Sequence, residues 1–147
     1  MKPGTSPATV AEQQHLATRE KIHQLFGHLD PACPPTVCPI RDVLAPVSDK
    51  WSILIVIFLG LVPTRRFNDL KRCLYGVSSK TLTERLKHLE RDGYLARTVY
   101  PEVPIRVEYH LTSFGQAYLA QLLALTEWVQ AAMPGILQAR QAGAPHV

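Results

Sequence analysis

The sequence predicts a mainly α-helical fold that carries a small β-hairpin, and three observations lead to this prediction. Most of the chain repeats its apolar residues at helical spacing, whereas residues 94–111 alternate them with a period of two. Positive charge is concentrated in the middle of the chain. A short basic helix, anchored by three leucines, stands between another helix and the hairpin.

Length and composition narrow the class of protein. The 147 residues suit one domain with terminal extensions, and a hydrophobic content of 46% is enough for a core. We see no signal peptide and no apolar run long enough to span a bilayer, so we expect a cytoplasmic protein without a membrane partner. Three cysteines, an odd number, argue against a secreted disulfide scaffold.

Residues 1–37 are predicted to form an N-terminal extension with a disordered start, a helix over about 10–29 and a Pro-rich linker. The apolar stripe of that helix is formed by Ile22, Leu25, Phe26 and Leu29. This stripe is too narrow for a core helix, so we expect it to pack on a partner subunit or on the back of the domain. Cys33 lies in the linker.

Residues 38–133 are predicted to form the domain, and residues 134–147 a tail. A short helix begins the domain at Cys38 or Pro39, because proline is favoured at the first position of a helix. It ends near Leu44, since another proline follows two residues later.

Two further helices precede the basic one. Ser48 is expected to cap a helix over 49–60, whose centre is apolar nearly all round and should therefore be buried. A third helix covers 66–74, and the turn 75–78 connects it to the next helix.

The basic helix over 79–92 has two different faces. Its inner face is formed by Leu82, Leu86 and Leu89, which recur at helical spacing. Its outer face carries lysine, arginine and hydroxyl side chains. Ser78 or Ser79 can cap the start of the helix, and Gly93 suits the left-handed conformation that often ends one.

Strands over 94–100 and 105–111, joined at a tip over 101–104, follow this helix. A helix, a short turn, a second helix with a basic outer face and then a hairpin make a winged helix-turn-helix. The fold is completed by a long C-terminal helix from Thr112 or Ser113 to about residue 132, which Pro134 breaks. We expect the N- and C-terminal helices to form a homodimer.

Double-stranded DNA is the partner that this arrangement predicts. Between residues 64 and 99 nine lysines and arginines face four acidic residues, which leaves +5 there and −1 in the rest of the chain. The second helix of such a fold enters the major groove with its N-terminal residues towards the base edges. We expect bases to be read by Ser79, Lys80, Thr81 and Thr83. We expect phosphate contacts from Arg85, Lys87 and Arg91 on this helix, from Arg65, Arg66 and Lys71 before it, and from Arg97 and Arg106 on the hairpin.

Other interpretations of the same residues stay open. The basic face can be an ordinary solvated surface, or the fold can be a winged-helix module that binds another protein. Arg66 can pair with Asp69 or Glu90 inside the fold instead of with DNA. The sequence shows no nucleophile, phosphate-loop or zinc-protease motif and its histidines are dispersed, so we expect no enzyme, no metal site and no cofactor.

Residues 38–128 resemble the HxlR-type winged helix-turn-helix regulators, which are close in fold to the MarR group. The matching segments are CPIRDVL, DKW, RFNDLKR, VSSKTLTERLKHLERDGYLARTVYPEVPIRVEYHLTSFG and LTEW. The resemblance implies a bacterial, homodimeric transcription factor, often a repressor, that binds pseudo-palindromic operators. The chain departs from the family at Asp49, where glycine is common, and in its long N-terminal extension.

The signal that such a regulator answers is predicted in two versions. The resemblance implies that Cys38 senses oxidants or electrophiles, and a thiol at a helix N-terminus near Arg41 has a physical reason to react as the thiolate. Cys33 is then a possible resolving thiol. In the second version the inducer is a small ligand, for example an aromatic one, at the dimer interface. An ordinary buried, inert cysteine is the simple alternative for Cys38.

Overall fold

The computed structural model describes residues 9–26 and 38–143. It divides into two compact units, one that ends at Val43 and one that begins at Leu44, and each is described by itself. The predicted Pro-rich linker and Cys33 lie outside the described residues.

Helix α1 (Val10–Phe26) belongs to the first unit. Thr9 and Glu12 form a capping box, because the backbone N–H of Thr9 donates to the Glu12 carboxylate at 2.7 Å and the N–H of Glu12 donates back to the Thr9 hydroxyl at 3.3 Å. No residue of α1 is buried. The predicted helix is confirmed as far as Phe26, and the apolar stripe that it carries is exposed at Ile22 and Leu25.

Two short turns of helix lead to the first buried helix. Pro39–Leu44 is a π-helix and Ala45–Val47 is a 3₁₀-helix, so the predicted short helix is present with a different hydrogen-bond spacing. Helix α2 (Lys50–Leu61) follows. Its cap is Asp49, whose carboxylate accepts the backbone N–H groups of the first turn, so the prediction that Ser48 caps this helix was wrong.

The helix-turn-helix consists of α3 (Phe67–Cys73) and α4 (Ser79–Arg91). Gly76 in the turn and Gly93 after α4 both have a positive φ, which glycine adopts without strain. Ser78 caps α4 by accepting the backbone N–H of Thr81 at 3.1 Å. The sequence predicted this pair of helices and the cap, and the structure confirms them.

The β-sheet has three antiparallel strands in the order β1-β3-β2, formed by β1 (Arg65–Arg66), β2 (Leu95–Tyr100) and β3 (Arg106–Leu111). The hairpin of β2 and β3, residues 95–111, is called the wing below. In the register of the sheet, Arg65 of the edge strand β1 lies opposite Tyr109 of the central strand β3. The two-residue strand β1 was not predicted from the sequence.

The hydrophobic core lies where α2, α4 and the base of the wing meet. Every member that follows belongs to the second unit. The largest fully buried side chains are Ile55, Leu59, Leu70, Leu74, Leu82, Leu89 and Leu95. Because the inner leucines of α4 are part of this core, the helix cannot rotate about its axis, and its outer face stays exposed to the solvent.

Helix α5 (Ser113–Ala142) runs without interruption for 30 residues, so the prediction that Pro134 breaks it was wrong. The turns around Pro134 are exposed, and solvent can therefore satisfy the carbonyl group that a proline leaves without its N–H partner. Thr112 caps the helix by accepting the N–H of Gly115 at 3.0 Å. The Tyr118 hydroxyl donates to the carbonyl oxygen of Val47 at 3.0 Å, which ties the first third of α5 to the 3₁₀ turn.

In the part of the chain that the structure describes, no single helix is both long and apolar enough to cross a membrane. Within residues 9–26 and 38–143, one bent pair, Pro39–Val47 and Lys50–Leu61, reaches such a length and composition when the two helices are taken together. Helix α2 supplies core residues of the second unit, which accounts for its apolar composition.

Candidate nucleic-acid interface

Helix α4 presents one continuous polar face to the solvent. Lys80, Thr83, Lys87 and Arg91 follow each other at intervals of three or four residues, so they lie on the same side, and all four are exposed. The opposite side is fixed by the three buried leucines. This division confirms the two faces that the sequence predicts for the helix.

The N-terminal turn of α4 is held by its own hydroxyl groups. The Ser78 hydroxyl donates to the Thr81 hydroxyl at 2.9 Å, and the Lys71 ammonium group donates to the Ser79 hydroxyl at 2.7 Å. The Thr83 hydroxyl donates to the carbonyl oxygen of Ser79 at 2.7 Å. Three of the four residues predicted to read bases therefore already have a hydrogen-bond partner. The structure also brings Lys71 of α3 to the start of α4.

Lys80 differs from these residues because its side chain is exposed and forms no ion pair or hydrogen bond with the described residues. Its ammonium group can donate to the acceptors of a guanine edge, which is a common specific contact in the major groove. Glu84 lies one turn further along the same face and is also exposed. Within the described ranges neither Arg85 nor Lys87 pairs with Glu84.

Arg85 faces the interior side of α4. Its Nε lies 3.2 Å from the carboxylate of Asp49, and both side chains are about two-thirds buried. The N–H of Nε is not aimed at the carboxylate, so this contact is an ion pair without a hydrogen bond. Because the same carboxylate caps α2, Asp49 links the start of α2 to the middle of α4. Arg85 is thus engaged within the fold, where the sequence predicts a phosphate contact.

Replacing Asp49 by alanine is expected to lower the free energy of unfolding by about 1–2 kcal/mol, since the cap of α2 and the ion-pair partner of the largely buried Arg85 side chain are lost together. Urea titration followed by circular dichroism measures this change. Asp69→Ala is a matched control, because Asp69 pairs with Arg72 at a more exposed position and should cost less than ~1 kcal/mol. Equal losses in the two variants would contradict a linking role for Asp49.

A cavity of about 290 Å³ lies between α4 and the base of the wing. Its polar lining includes Thr83, Lys87, Glu90 and Arg97. The structure therefore brings together two predicted phosphate contacts, Lys87 of α4 and Arg97 of β2. Their two positive charges against one carboxylate suit an anionic group such as a backbone phosphate.

Arg106 is held inside the wing. Its guanidinium lies 3.1 Å from the carboxylate of Glu102 and 3.3 Å from that of Glu108, and it lies over the ring of Tyr100 at 4.0 Å from the centroid. The sequence predicts a phosphate contact here, whereas the structure pairs this charge with two carboxylates. Glu108 stands two residues beyond Arg106 on the same strand and so on the same face, and this spacing was the sequence signal for the pair.

The remaining predicted contacts precede α3. The Nε of Arg65 donates to the carbonyl oxygen of Phe58 at 3.0 Å, so this arginine satisfies a carbonyl in the last turns of α2. Arg66 is exposed, and in the described residues it pairs with neither Asp69 nor Glu90. Asp69 is bonded to Arg72 instead. Arg66 is therefore available to a phosphate, and Arg65 serves mainly the fold.

The segment that begins at Cys38 is arranged around the thiol. The backbone N–H of Arg41 points at the Cys38 sulfur at 3.4 Å, and the N–H of Cys38 donates to the Asp42 carboxylate at 2.6 Å. The Arg41 guanidinium, and after it this N–H group, lower the pKa of the Asp42 carboxyl to about 2. Cys38 as a whole is only 6% exposed. Among residues 9–26 and 38–143, no three histidine, cysteine or acidic side chains converge on a common point.

Comparison with known proteins gives consistent results along the domain. A family model described as HxlR-like helix-turn-helix matches residues 46–136, which is more than half of the chain. The HTH-type transcriptional regulator YtfH of Escherichia coli is 43% identical over 103 residues, covering 70% of this chain and 81% of that protein.

Two solved structures are similar to this one. The transcriptional regulator YtfH from Salmonella typhimurium has a TM-score of 0.65 at 41% identity, over 73% of this chain and 95% of that chain. HypR, described as a redox regulator and solved in its reduced form, has a TM-score of 0.63 at 30% identity. The match covers 68% of this chain and 98% of the HypR chain. The chain therefore belongs to the HxlR-like helix-turn-helix family of transcriptional regulators and has their DNA-binding fold.

Proposed function

We propose that the protein is a homodimeric, cytoplasmic repressor that binds a pseudo-palindromic operator in double-stranded DNA through α4. The exposed face of α4 carries this proposal, because it offers a lysine without a partner among the described residues, hydroxyl groups and further cations on a helix whose other side is fixed in the core. An α-helix fits the width of the major groove, and such side chains can bond to base edges and phosphates there.

The C-terminal half of α5 supports the dimer. Leu125, Val129, Met133 and Leu137 recur at intervals of four residues and are exposed, and the neighbouring Trp128 is 65% accessible. Contiguous apolar surface of this kind marks a protein interface. A second copy of the chain is the natural occupant, since two copies related by a two-fold axis present two α4 helices to two half-sites of an operator.

We further propose that the redox state of Cys38 sets the affinity for DNA. The backbone N–H of Arg41 points at the Cys38 sulfur, and the similarity to HypR, a redox regulator, supports the same role. In the proposed step Cys38 and a second thiol, with Cys33 as the candidate, each lose one proton and one electron, and the two sulfur atoms form a disulfide bond. Hydrogen peroxide accepts the two protons and two electrons, its O–O bond breaks, and two molecules of water form. Because the Cys38 thiol is buried, this reaction requires the segment to open locally.

Fluorescence anisotropy with a labelled duplex from the region upstream of the gene tests both the operator binding and its control by the redox state of Cys38. All titrations use one fixed salt concentration. Specific binding by the reduced protein, competed by unlabelled operator far better than by unrelated duplex, is expected. Peroxide should weaken it about 5–150-fold, and a thiol reductant should restore it.

The Cys38→Ser variant should bind the operator with the affinity of the reduced wild type, and peroxide should not change that affinity. Cys73→Ser is the matched control, because Cys73 is also a free cysteine but lies in α3, and this variant should still respond. A response that survives in Cys38→Ser would exclude the thiol switch and direct the search to a small ligand. Equal binding to all duplexes would exclude the operator-binding proposal itself and favour a protein-interaction module.

A further inference from the structure

The turn between α3 and α4 carries an exposed tyrosine that the packing of the fold does not use. Tyr75 is 95% exposed, although Leu74 and Val77 on either side of it are buried. Its hydroxyl group forms no hydrogen bond with the described residues. The aromatic ring and the hydroxyl group are therefore both available to a partner.

The backbone of this turn is fixed. The N–H of Val77 donates to the carbonyl oxygen of Leu74 at 3.0 Å, and Gly76 has a φ of 87°. A hydrogen bond that closes four residues, with a positive φ at the third of them, is typical of a type II turn. Because Leu74 and Val77 belong to the core, the side chain of Tyr75 is held on the outside of the turn.

Turn chemistry does not account for a tyrosine at this position. The second residue of a type II turn is commonly proline, and turns in general favour glycine, proline, asparagine, aspartate and serine. Tyrosine is more typical of strands and of binding surfaces, where its ring supplies contact area and its hydroxyl group a hydrogen bond. A residue that neither the turn nor the core requires is explained by a contact outside the chain.

The charges around the turn indicate the kind of partner. Residues 70–81 carry three cationic side chains and no acidic one. Of the three, Arg72 is paired with Asp69, which lies just before this stretch. The ammonium group of Lys71 reaches across the turn to the Ser79 hydroxyl at 2.7 Å. The turn therefore keeps a net positive charge, which attracts a polyanion.

The geometry of a helix-turn-helix places this turn at the edge of the major groove. The first helix crosses the sugar–phosphate backbone, and the N-terminal residues of the second helix face the base edges. Tyr75 lies three positions before Ser78, the cap of α4, and an extended chain covers at most about 11 Å over that distance. Since the major groove is about 12 Å wide, a side chain so close to the start of α4 reaches the backbone that borders the groove.

We infer that the Tyr75 hydroxyl group donates a hydrogen bond to a phosphate oxygen at the rim of the major groove that α4 occupies. Tyrosine is among the side chains that contact phosphates in protein–DNA complexes, and such contacts fix the register of a protein on the duplex. The inference rests on the proposed operator binding. It adds a contact that holds α4 in register and reads no base itself.

Tyr75→Phe removes the hydroxyl group alone and tests this contact. The variant should bind the operator and its singly substituted versions about tenfold more weakly, because a hydrogen bond to a charged group is lost. A neutral donor releases no counterion, so the slope of affinity against salt should stay that of the wild type. Lys87→Ala is the ionic comparison, and its slope should fall by about 0.9. Anisotropy over a range of salt concentrations measures both quantities.

A change in the DNA tests the same contact from the other side. A methylphosphonate replaces one charged phosphate oxygen by a methyl group and is placed at one position of the operator at a time. At the contacted phosphate, the combined loss from Tyr75→Phe and the methylphosphonate should be smaller than the product of the two separate losses. Elsewhere the two losses should multiply. Losses that multiply at every position would contradict the inference.

The remaining outcomes are distinguishable. If the wild type shows no preference for its operator, the proposed function fails before Tyr75 is tested. If Tyr75→Phe binds as the wild type does, or weakens binding at one base pair only, the hydroxyl group does not hold a phosphate and the inference is wrong. Tyr75→Pro suits the second position of the turn, so it should stay folded in thermal unfolding and should bind at least as weakly as Tyr75→Phe.

Discussion

Replacing Gly115 by alanine is expected to destabilise the second unit by about 3 kcal/mol or more. A Cβ atom at this position would lie 1.8 Å from the carbonyl oxygen of Tyr94, closer than any real contact. That oxygen accepts the backbone N–H of Thr112 at 3.2 Å, and the Thr112 hydroxyl lies at the same distance from it while donating to the Gly93 carbonyl oxygen at 2.5 Å, so the oxygen cannot move without disturbing the residue that caps α5. Urea unfolding of the purified variant measures the loss.

Gly135→Ala is the control for this variant. Gly135 lies in the same helix, and a Cβ atom there meets no other atom within 4 Å. Alanine should therefore leave stability unchanged or raise it by up to ~1 kcal/mol, because glycine is the poorer helix former. Similar losses in the two variants would show that the packing of α5 on Tyr94 is looser than the structure indicates.

The second large effect is expected for DNA binding. Lys80→Ala should cost about 1–3 kcal/mol of binding free energy and should flatten the preference for one base pair of the operator. Lys87→Ala should weaken binding to all duplexes alike and should reduce the salt slope by about 0.9, because its contact is with a phosphate. Titration of a set of singly substituted operators at several salt concentrations measures both quantities.

Arg140→Ala removes the same charge from the exposed end of α5 and serves as the control. Its affinity and its base preference should match those of the wild type. If Lys80→Ala resembles this control, Lys80 does not read a base, and the assignment of α4 as the reading helix loses its main support.

The parts of the fold that were predicted correctly are those whose signals are local. The leucine spacing of α4, its serine cap and the glycine after it all lie within a few residues of each other, so the sequence alone locates the helix and its outer face. The alternation in the wing is equally local. This is why the helix pair and the hairpin were recognised together.

The parts that were missed depend on partners far along the chain or on context. Strand β1 has only two residues, too few to show a period, and it exists because β3 lies beside it. Pro134 lies inside α5 because its surroundings are solvent, which the residue type does not reveal. The choice of Asp49 over Ser48 as cap depends on which residue has the extended conformation.

In the candidate site, too, features with a local sequence signal could be predicted and features that depend on distant residues could not. The exposure of Lys80 and Lys87 could be predicted because the face of a helix follows from its period. The pairing of Arg85 with Asp49 could not, because it joins two helices whose packing angle is a property of the whole core. The pairing of Arg106 with Glu108 could have been predicted from their two-residue spacing on one strand, whereas the contact with Glu102 depends on the path of the loop and appeared only with the structure.

The thirty-residue length of α5 has a mechanical consequence. Its two buried residues, Gly115 and Leu122, both lie within the first ten residues, so only the N-terminal third of the helix is anchored in the core and the rest projects from it. The free part of about 20 residues is roughly 30 Å long. A tilt of about 5° at the anchored end therefore displaces the far end by roughly 2.6 Å, more than the 1–2 Å shifts that switch other helical interfaces. Small repacking around Tyr118 and Val47 would thus be magnified along the helix, and it would displace the exposed apolar residues Met133 and Leu137 more than Trp128.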